Sequence, residues 1–487
     1  MKIIISGCDF RYELENVARL FVPDVEICGG GTLRWLRSNA RDYAYFKRAA
    51  SPSGSNLLVA VCVDDKRAAL VKTLAPHCGG EDAERELALM FYDIMADLSG
   101  KRPVWGIMTG VRPAKFVRIM LDRGYSELYA AEFLREKYSV AEEKALLAVE
   151  TARVSRRFAK LNGADSYSLY ISIPFCPSRC EYCSFVSKTV EREGLLLSAY
   201  LDKLMSELCF ISDIACSLNL RLETVYVGGG TPTVLDEPEL ESLCAVIERL
   251  FLNNTAREYT FEAGRPDTIS LGKLRILKAH GVTRLSINPQ TFSDTLLAAM
   301  GRPHTAKDVE RAFALARETG FSNINSDLIA GLPKDTAASF RQSVVRLLAL
   351  KPEGVTVHAL TLKRASFLRE HAAGIDTGVL EMTDIAGGLL TGGGYRPYYM
   401  YKQKGTPGNA ENTGYSLEGY EGLYNICIMD ERHTILSAGA AGVTKLVDQT
   451  SGRIERVFNY KYPREYIEGF ETILARKERI LGFYEGL

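Results

Sequence analysis

The middle of the chain alternates short apolar runs with longer segments in which apolar residues recur every three or four positions. The first pattern predicts buried β-strands, and the second predicts amphipathic helices. The predicted strands are Ser168–Ile173, Thr224–Val227, Glu258–Glu262, Arg284–Asn288, Ser322–Asp327 and Val355–Leu360. The predicted helices between them are Leu195–Cys216, Glu237–Leu252, Leu271–His280, Ala306–Thr319 and Ala337–Leu348. Alternating strands and helices form parallel sheets with right-handed crossovers, so six units predict an α/β fold with an open, three-quarter (β/α)6 barrel.

The segments on either side of this alternation have other patterns. Residues 1–163 predict an α+β domain, to which the sequence assigns no role. Its predicted elements are strands Lys2–Ser6 and Asn56–Val63, helices Glu81–Leu98 and Ala141–Leu161, and a Gly/Pro-rich loop at Trp105–Lys115. Residues 375–487 contain 11 of the 24 tyrosines and predict a small third domain that covers the open side of the barrel. The barrel itself is expected to span residues 164–374.

Charge and length exclude several classes of protein. The 487 residues include 60 Lys+Arg and 60 Asp+Glu, a balance that argues against a nucleic-acid-binding protein or a polybasic membrane tether. No uncharged run is long enough to span a bilayer, and the N-terminal residues do not form a signal peptide. We therefore expect a cytoplasmic protein without a membrane span.

The chain has eleven cysteines, an odd number that argues against a disulfide framework. Cys176, Cys180 and Cys183 differ from the others because they lie on one short loop, directly after the first barrel strand, with C-x3-C-x2-C spacing. A zinc site usually needs a fourth protein ligand, which this loop lacks. A cubane iron–sulfur cluster held by three cysteines keeps one iron open for another ligand. We expect the other eight cysteines to be packing residues, and the scattered spacing of the N-terminal ones argues against an auxiliary cluster.

This spacing resembles the cluster motif of the radical S-adenosylmethionine (SAM) enzymes, which implies a TIM-like partial barrel, a [4Fe–4S] cluster on the three cysteines and SAM as cofactors. Polar residues at successive strand ends support that interpretation, although each alone could be a solvated loop residue. By resemblance, Phe185, Gly229, Gly230 and Thr231 lie in the cofactor site. Glu262 would bind the SAM amino group, Gln290 and Asp327 the ribose, and Arg302 the carboxylate.

Further motifs resemble the oxygen-independent coproporphyrinogen III oxidase (dehydrogenase) family. They are Tyr170-Ile171-Ser172-Ile173-Pro174-Phe175-Cys176, Gly228-Gly229-Gly230-Thr231-Pro232-Thr233 and Asp327-Leu328-Ile329-Ala330-Gly331-Leu332-Pro333. The stretches Gly110–Lys115 and Tyr399–Ser416 are similar to the branch of the family that has an N-terminal extension. The resemblance implies that two of the four propionates of coproporphyrinogen III are decarboxylated to vinyl groups, giving protoporphyrinogen IX, with Tyr170 and the three cysteines as catalytic residues.

Such an enzyme needs a tetrapyrrole pocket and a one-electron donor such as flavodoxin or ferredoxin. Candidate partners of the substrate carboxylates are Arg179, Lys363, Arg364, Arg396, Lys402 and Lys404, each of which could equally be a solvated charge. Two departures from well-known members are Phe185, where they have a further cysteine, and Ser172, where they have histidine. Relatives without that cysteine include haem-binding chaperones, and others are radical SAM methyltransferases that open the haem ring. His358 could point into the barrel or be a satisfied core residue, and we expect the latter. We expect His433 to be a surface residue.

Overall fold

The computed structural model describes residues 1–29, 32–110, 112–158, 163–183, 188–189, 196–252, 256–361 and 378–486. These residues form two compact units. The first comprises residues 1–149 with 402–410, and the second comprises residues 150–401 with 411–487. The sequence predicts three domains. In the structure, the residues of the predicted C-terminal domain contribute strands to the same sheet as the barrel. None of the helices in the described ranges is long and apolar enough to cross a membrane.

The first unit contains a five-stranded sheet with helices packed against it. Its strands are β1 (Lys2–Ser6), β2 (Glu26–Ile27), β3 (Tyr43–Ser51), β4 (Gly54–Val63) and β5 (Lys66–Leu74), in the order β2-β1-β3-β4-β5. Its helices are α1 (Arg11–Ala18), α2 (Leu33–Asn39), α3 (Gly80–Ser99), α4 (Pro113–Asp122) and α5 (Glu127–Tyr138), and α6 (Glu142–Arg157) continues into the second unit. The apolar face of α3 packs on the sheet through Leu87 and Phe91. Helix α4 begins within the predicted loop because Pro113 occupies its first turn, where no amide donor is needed.

The second unit is built on one sheet of eleven strands. They are β6 (Ser166–Ile173), β9 (Arg221–Gly229), β10 (Glu258–Gly264), β11 (Arg284–Ile287), β12 (Ile324–Ala330), β13 (Gly354–Ala359), β14 (Arg396–Lys402), β15 (Glu411–Ser416), β16 (Thr434–Ala438), β17 (Val443–Val447) and β18 (Ile454–Phe458), while β7 (Phe175–Cys176) and β8 (Lys188–Thr189) form a separate short pair. All six predicted barrel strands are present, adjacent and parallel, in the order β6-β9-β10-β11-β12-β13. The α/β fold class is therefore confirmed.

The helices of this unit follow the predicted alternation. They are α7 (Leu197–Ser217), α8 (Glu237–Phe251), α9 (Leu271–Ala279), α10 (Asp294–Ala299), α11 (Ala306–Glu318), α12 (Ala337–Ala349), α13 (Val379–Gly392), α14 (Leu423–Asp430), α15 (Pro463–Glu468), α16 (Phe470–Lys477) and α17 (Arg479–Glu485). Side-chain caps set several of their starts, among them Asp236 on α8, Ser270 on α9 and Thr305 on α11. The crossover helices therefore begin close to where the sequence places them.

Residues after 378 extend the barrel sheet at both ends. Strand β15 pairs antiparallel with β13, and β16 pairs parallel with β6, which adds a seventh parallel strand that the periodicity did not predict. His433 precedes β16 and is buried, with its Nε2 2.8 Å from the Ser168 hydroxyl. The prediction of a surface residue at this position is wrong, because the pairing of β16 with β6 carries the imidazole into the core.

Candidate active site

The three cysteines of the motif lie on the loop that follows β6. Cys180 is buried, whereas Cys176 and Cys183 are partly exposed. Other segments hold the loop in place: the Glu181 amide donates to the Met300 carbonyl (3.2 Å), and the Arg265 guanidinium donates to the Ser178 hydroxyl (2.7 Å). The loop is thus fixed to the polypeptide that follows α10 and to the end of β10.

The donor set of this loop fits an iron–sulfur cluster. Three thiols on one loop are soft ligands of the kind that iron–sulfur clusters take. Burial by itself lowers the pKa of the Arg302 guanidinium, but Tyr182 and Cys180, with which it forms hydrogen bonds, raise that pKa above its ordinary value. Within the described ranges, no three His, Cys, Asp or Glu side chains are already grouped as a metal site.

The glycine-rich turn after β9 lies directly against the cysteine loop. The amides of Gly230 and Thr231 donate to the carbonyls of Ile173 and Phe175, each at 2.8 Å. The Thr231 hydroxyl lies 3.4 Å from the Sγ of Cys176. A Cβ on Gly230 would lie 2.5 Å from the Phe175 carbonyl oxygen and 3.0 Å from that sulfur. The close approach of the two segments therefore requires glycine at this position.

Glu262 lies on β10, the next strand of the barrel, two residues before that strand ends. The Tyr226 hydroxyl donates a 2.5 Å hydrogen bond to its carboxylate. Burial raises the pKa of the Glu262 carboxyl to about 7, and the neighbouring Asp327 carboxylate adds to that rise, while the Tyr226 hydrogen bond opposes it. Glu262 is therefore close to half ionised at neutral pH and ready to gain a cationic partner.

Asp327 lies on β12, and the structure places Gln290 beside it. The Gln290 amide donates to the Asp327 carbonyl (2.9 Å), with Gln290 in the left-handed region at a φ of 67°. The Asp327 carboxylate accepts from Asn325 Nδ2 at 2.9 Å and lies 3.5 Å from His358 Nε2. Burial by itself would raise the pKa of Asp327, but its hydrogen bonds and the charge of His358 hold the net pKa below the ordinary value. This carboxylate is ionised at neutral pH.

Arg302 contacts the cysteine loop through Tyr182. Its Nε donates to the Tyr182 hydroxyl and its Nη1 donates to the Asn288 carbonyl, both at 3.0 Å. The guanidinium is buried. A two-pronged contact with a ligand carboxylate through these nitrogens therefore requires one of the two bonds to be exchanged.

Tyr170 belongs to a stack of three tyrosines within the barrel. Its ring centroid lies 6.1 Å from those of Tyr226 and Tyr424, and the latter two are 4.5 Å apart. Burial, and next the charge of Glu262, raise the pKa of the Tyr170 phenol well above its ordinary value. Tyr226 lies only two residues before the glycine turn, yet sequence reasoning missed it and Tyr424, because no local pattern indicates which strand residues face the same interior.

Several candidate cations have partners of their own or lie outside the residues that the structure describes. Lys402 and Lys404 belong to the first unit, where their ammonium groups donate to the Met108 carbonyl (2.6 Å) and the Tyr12 hydroxyl (2.7 Å). Arg396 forms an ion pair with Glu150 at 3.1 Å. Phe185, Lys363 and Arg364 lie outside the described residues. The assignment of substrate carboxylates to these cations stays a prediction.

Comparison with known proteins is consistent with this geometry. The model of the radical SAM superfamily matches residues 170–347. The chain is 34% identical to the oxygen-independent coproporphyrinogen-III oxidase-like protein HemZ of Bacillus subtilis, over 99% of this chain and 98% of that protein. It is 41% identical to the heme chaperone HemW of the same organism, over 40% of this chain and 51% of that protein.

One solved structure extends the comparison of folds. Coproporphyrinogen III oxidase (HemN) from Escherichia coli, a radical SAM enzyme, matches with a TM-score of 0.51 and 21% identity, over 66% of this chain and 72% of that chain. A match at this identity supports the fold alone. The predicted cofactors, a [4Fe–4S] cluster and SAM, are those of the matched superfamily. The chain therefore belongs to the radical SAM superfamily and, within it, to the family of oxygen-independent coproporphyrinogen-III oxidase-like proteins.

Proposed function

We propose that this protein converts coproporphyrinogen III to protoporphyrinogen IX by oxidative decarboxylation of two propionates, without oxygen. The observation that carries this proposal is the contact between the cysteine loop and the polar ends of the neighbouring barrel strands. The Thr231 hydroxyl contacts the Cys176 sulfur, and the Arg302 guanidinium contacts the loop through the Tyr182 hydroxyl. The neighbouring strands β10 and β12 carry Glu262 and Asp327. The full-length similarity to an oxidase-like protein supports a tetrapyrrole as substrate.

In this proposal the cysteine thiolates hold the cluster and the strand ends hold SAM. When bound, these cofactors would supply radical chemistry at a propionate side chain, from which a hydrogen atom, CO2 and one further electron, passed to a one-electron carrier, must leave to give the vinyl group. Glu262 accepts the SAM ammonium and loses its proton as it does so, since its pKa lies near 7. Asp327 and Gln290 bind the ribose hydroxyls, and Gly229, Gly230 and Thr231 let the ligand approach the backbone of the turn.

The tyrosine stack contributes in a different way. Tyr170, Tyr226 and Tyr424 form a continuous aromatic layer inside the barrel. Packed rings exclude water from the interior, which protects a reactive radical from side reactions. Their faces also offer an apolar surface that suits a flat macrocycle.

An anaerobic turnover assay tests this function. Protein reconstituted with iron and sulfide is mixed with SAM, coproporphyrinogen III and a one-electron donor such as reduced flavodoxin or ferredoxin. We expect two molecules of 5′-deoxyadenosine for each protoporphyrinogen IX, since two propionates react. A protein in which Cys176, Cys180 and Cys183 are changed to Ala serves as the inactive control. Cleavage of SAM without any vinyl product would contradict the proposal.

A second candidate function is haem binding without turnover. It is favoured by the 41% identity to a heme chaperone, which is confined to 40% of the chain. A haem carrier would bind haem in a one-to-one ratio, and binding would survive the triple cysteine substitution. Titration of both proteins with haem, followed by the turnover assay on the same samples, separates the two functions.

A further inference from the structure

His358 lies near the end of β13, on the face of the sheet that carries Asp327. In the parallel pairing of β12 with β13, Asp327 is opposite Thr356, so His358 is its diagonal neighbour on the same face. The His358 Nε2 lies 3.5 Å from the Asp327 carboxylate, and Nδ1 lies 3.3 Å from the Tyr401 hydroxyl. The imidazole therefore spans the space between β12 and β14.

The surroundings of His358 are acidic. The titratable and polar groups that face it are Glu262 on β10, Asp327 on β12, Tyr401 on β14 and Asn412 on β15. Burial by itself would lower the pKa of His358, but the hydrogen bond and charge of Asp327, the Asn412 amide and the charge of Glu262 raise it above its ordinary value. Asn412 is itself held in place, because its Oδ1 accepts from the Ala359 amide at 3.0 Å.

These contacts go beyond what a packing histidine needs. The side chain of His358 keeps 29% of its surface accessible, so it borders open space inside the barrel. His358 also affects Asp327, because its hydrogen bond and its charge are the largest of the effects that lower the pKa of that buried carboxyl. Removal of this charge would leave two carboxylates, Glu262 and Asp327, facing one another in a buried site.

We propose that His358 is a positioning residue that, as an imidazolium, holds the Asp327 carboxylate ionised and oriented for a ribose, so that SAM binds more tightly to the His358-protonated protein. This inference rests on the proposed function, because it takes the ribose of SAM as the partner of Asp327. It leaves the radical chemistry itself unchanged.

The first test examines the ion pair without any ligand. Titration of the six histidines by NMR on protein labelled at histidine Cε1 gives each imidazole its own midpoint, and His358→Gln identifies the signal of His358. We expect this midpoint above the ordinary value for histidine, and we expect it to fall by at least one pH unit in Asp327→Asn. A midpoint that stays the same in Asp327→Asn would overturn the inference.

The second test measures SAM affinity by calorimetry on the anaerobically reconstituted protein between pH 6 and 9. We expect His358→Gln to weaken binding by about tenfold below the His358 midpoint, and the ratio of the two affinities to approach one at higher pH. Comparison as a ratio removes the titration of the SAM amine from the result. Equal affinities at every pH would overturn the inference.

His280→Gln is the matched control. His280 also lies between two carboxylates, Glu241 (2.8 Å) and Glu248 (2.6 Å), and these raise its pKa, but it follows α9 on the outside of the barrel. We expect this variant to bind SAM like the wild type. If the wild-type protein itself binds no SAM, the proposed function fails, whereas a normal wild type with an unchanged His358→Gln overturns only this inference.

Discussion

The close contact between the glycine turn and the cysteine loop predicts a large effect for one added methyl group. In Gly230→Ala the new Cβ would lie 2.5 Å from the Phe175 carbonyl oxygen and 3.0 Å from both the Ile173 carbonyl oxygen and the Cys176 sulfur. Two of these three neighbours are backbone atoms, which cannot move aside as a flexible side chain does. The turn and the loop must therefore separate.

The cost of that separation follows from what it disrupts. Overpacking of a buried site typically costs about 1–3 kcal/mol, and loss of the Thr231 to Phe175 hydrogen bond adds about 1 kcal/mol. We expect Gly230→Ala to lower the free energy of unfolding by about 2–4 kcal/mol. Because the shift falls on Cys176, the iron content after anaerobic reconstitution should fall as well.

Gly388→Ala is a matched control with the same chemical change. Gly388 lies within α13, where no atom approaches the position of a new Cβ within 4 Å. Alanine there should stabilise the protein by about 0.4–1 kcal/mol through the unfolded state. Thermal unfolding and iron analysis of both variants test this prediction. Equal melting temperatures for the two variants, together with wild-type iron content in Gly230→Ala, would contradict it.

Three further predictions concern buried charges. The pKa of Glu262 is raised from 4.5 to about 7, so between these values the folded protein holds a proton that the unfolded chain releases. Ionisation of Glu262 at pH 8 therefore costs the folded state roughly 3 kcal/mol, whereas at pH 4 the group is protonated in both states. Glu262→Gln should raise the melting temperature of the apoprotein at pH 8 but not at pH 4. Lys477→Met leaves the buried carboxylate of Glu207, 3.1 Å from the ammonium, without its cation, and should cost about 3–5 kcal/mol in urea unfolding, whereas the exposed Lys307→Met should change little. Lys402→Met removes a buried ammonium that lies over the Trp105 indole ring. Hydrogen–deuterium exchange should then show a free energy of opening in the first unit that is lower by about 2 kcal/mol. Unchanged exchange would contradict this prediction.

Much of the barrel could be predicted because its strands carry a local signal. A strand buried on both faces is a short continuous apolar run, and this signal places all six barrel strands within a few residues of their observed bounds. The run underestimates the length of β9, which extends to Arg221–Gly229 beyond the predicted Thr224–Val227, but it overestimates that of β11, which ends at Ile287. Most of the residues added to β9 are polar or glycine, and all but Glu223 pair with β6.

Other elements lack such a signal. Strand β5 is exposed over most of its length, so no burial pattern distinguishes it from a loop. Strand β16 consists of five buried residues with no helix before the strand that follows it, and its place beside β6 depends on pairing across more than 260 residues. Long-range pairing of this kind is decided by the packed sheet, because short sequences carry little information about distant partners.

The chemistry of the site can be predicted in outline from local sequence alone. Three thiols on one loop, a glycine-rich turn after the next strand and polar residues at later strand ends must meet at one edge, because parallel strands with regular crossovers present their carboxyl ends together. Which of these groups are in contact depends on the packed fold. It pairs Glu262 with Tyr226 and Asp327 with His358, and it places the Lys402 ammonium in the first unit. Such pairings follow from the register of strands that are far apart in the chain. Burial then shifts the pKa of each group, so its protonation state depends on the fold as well as on the residue type.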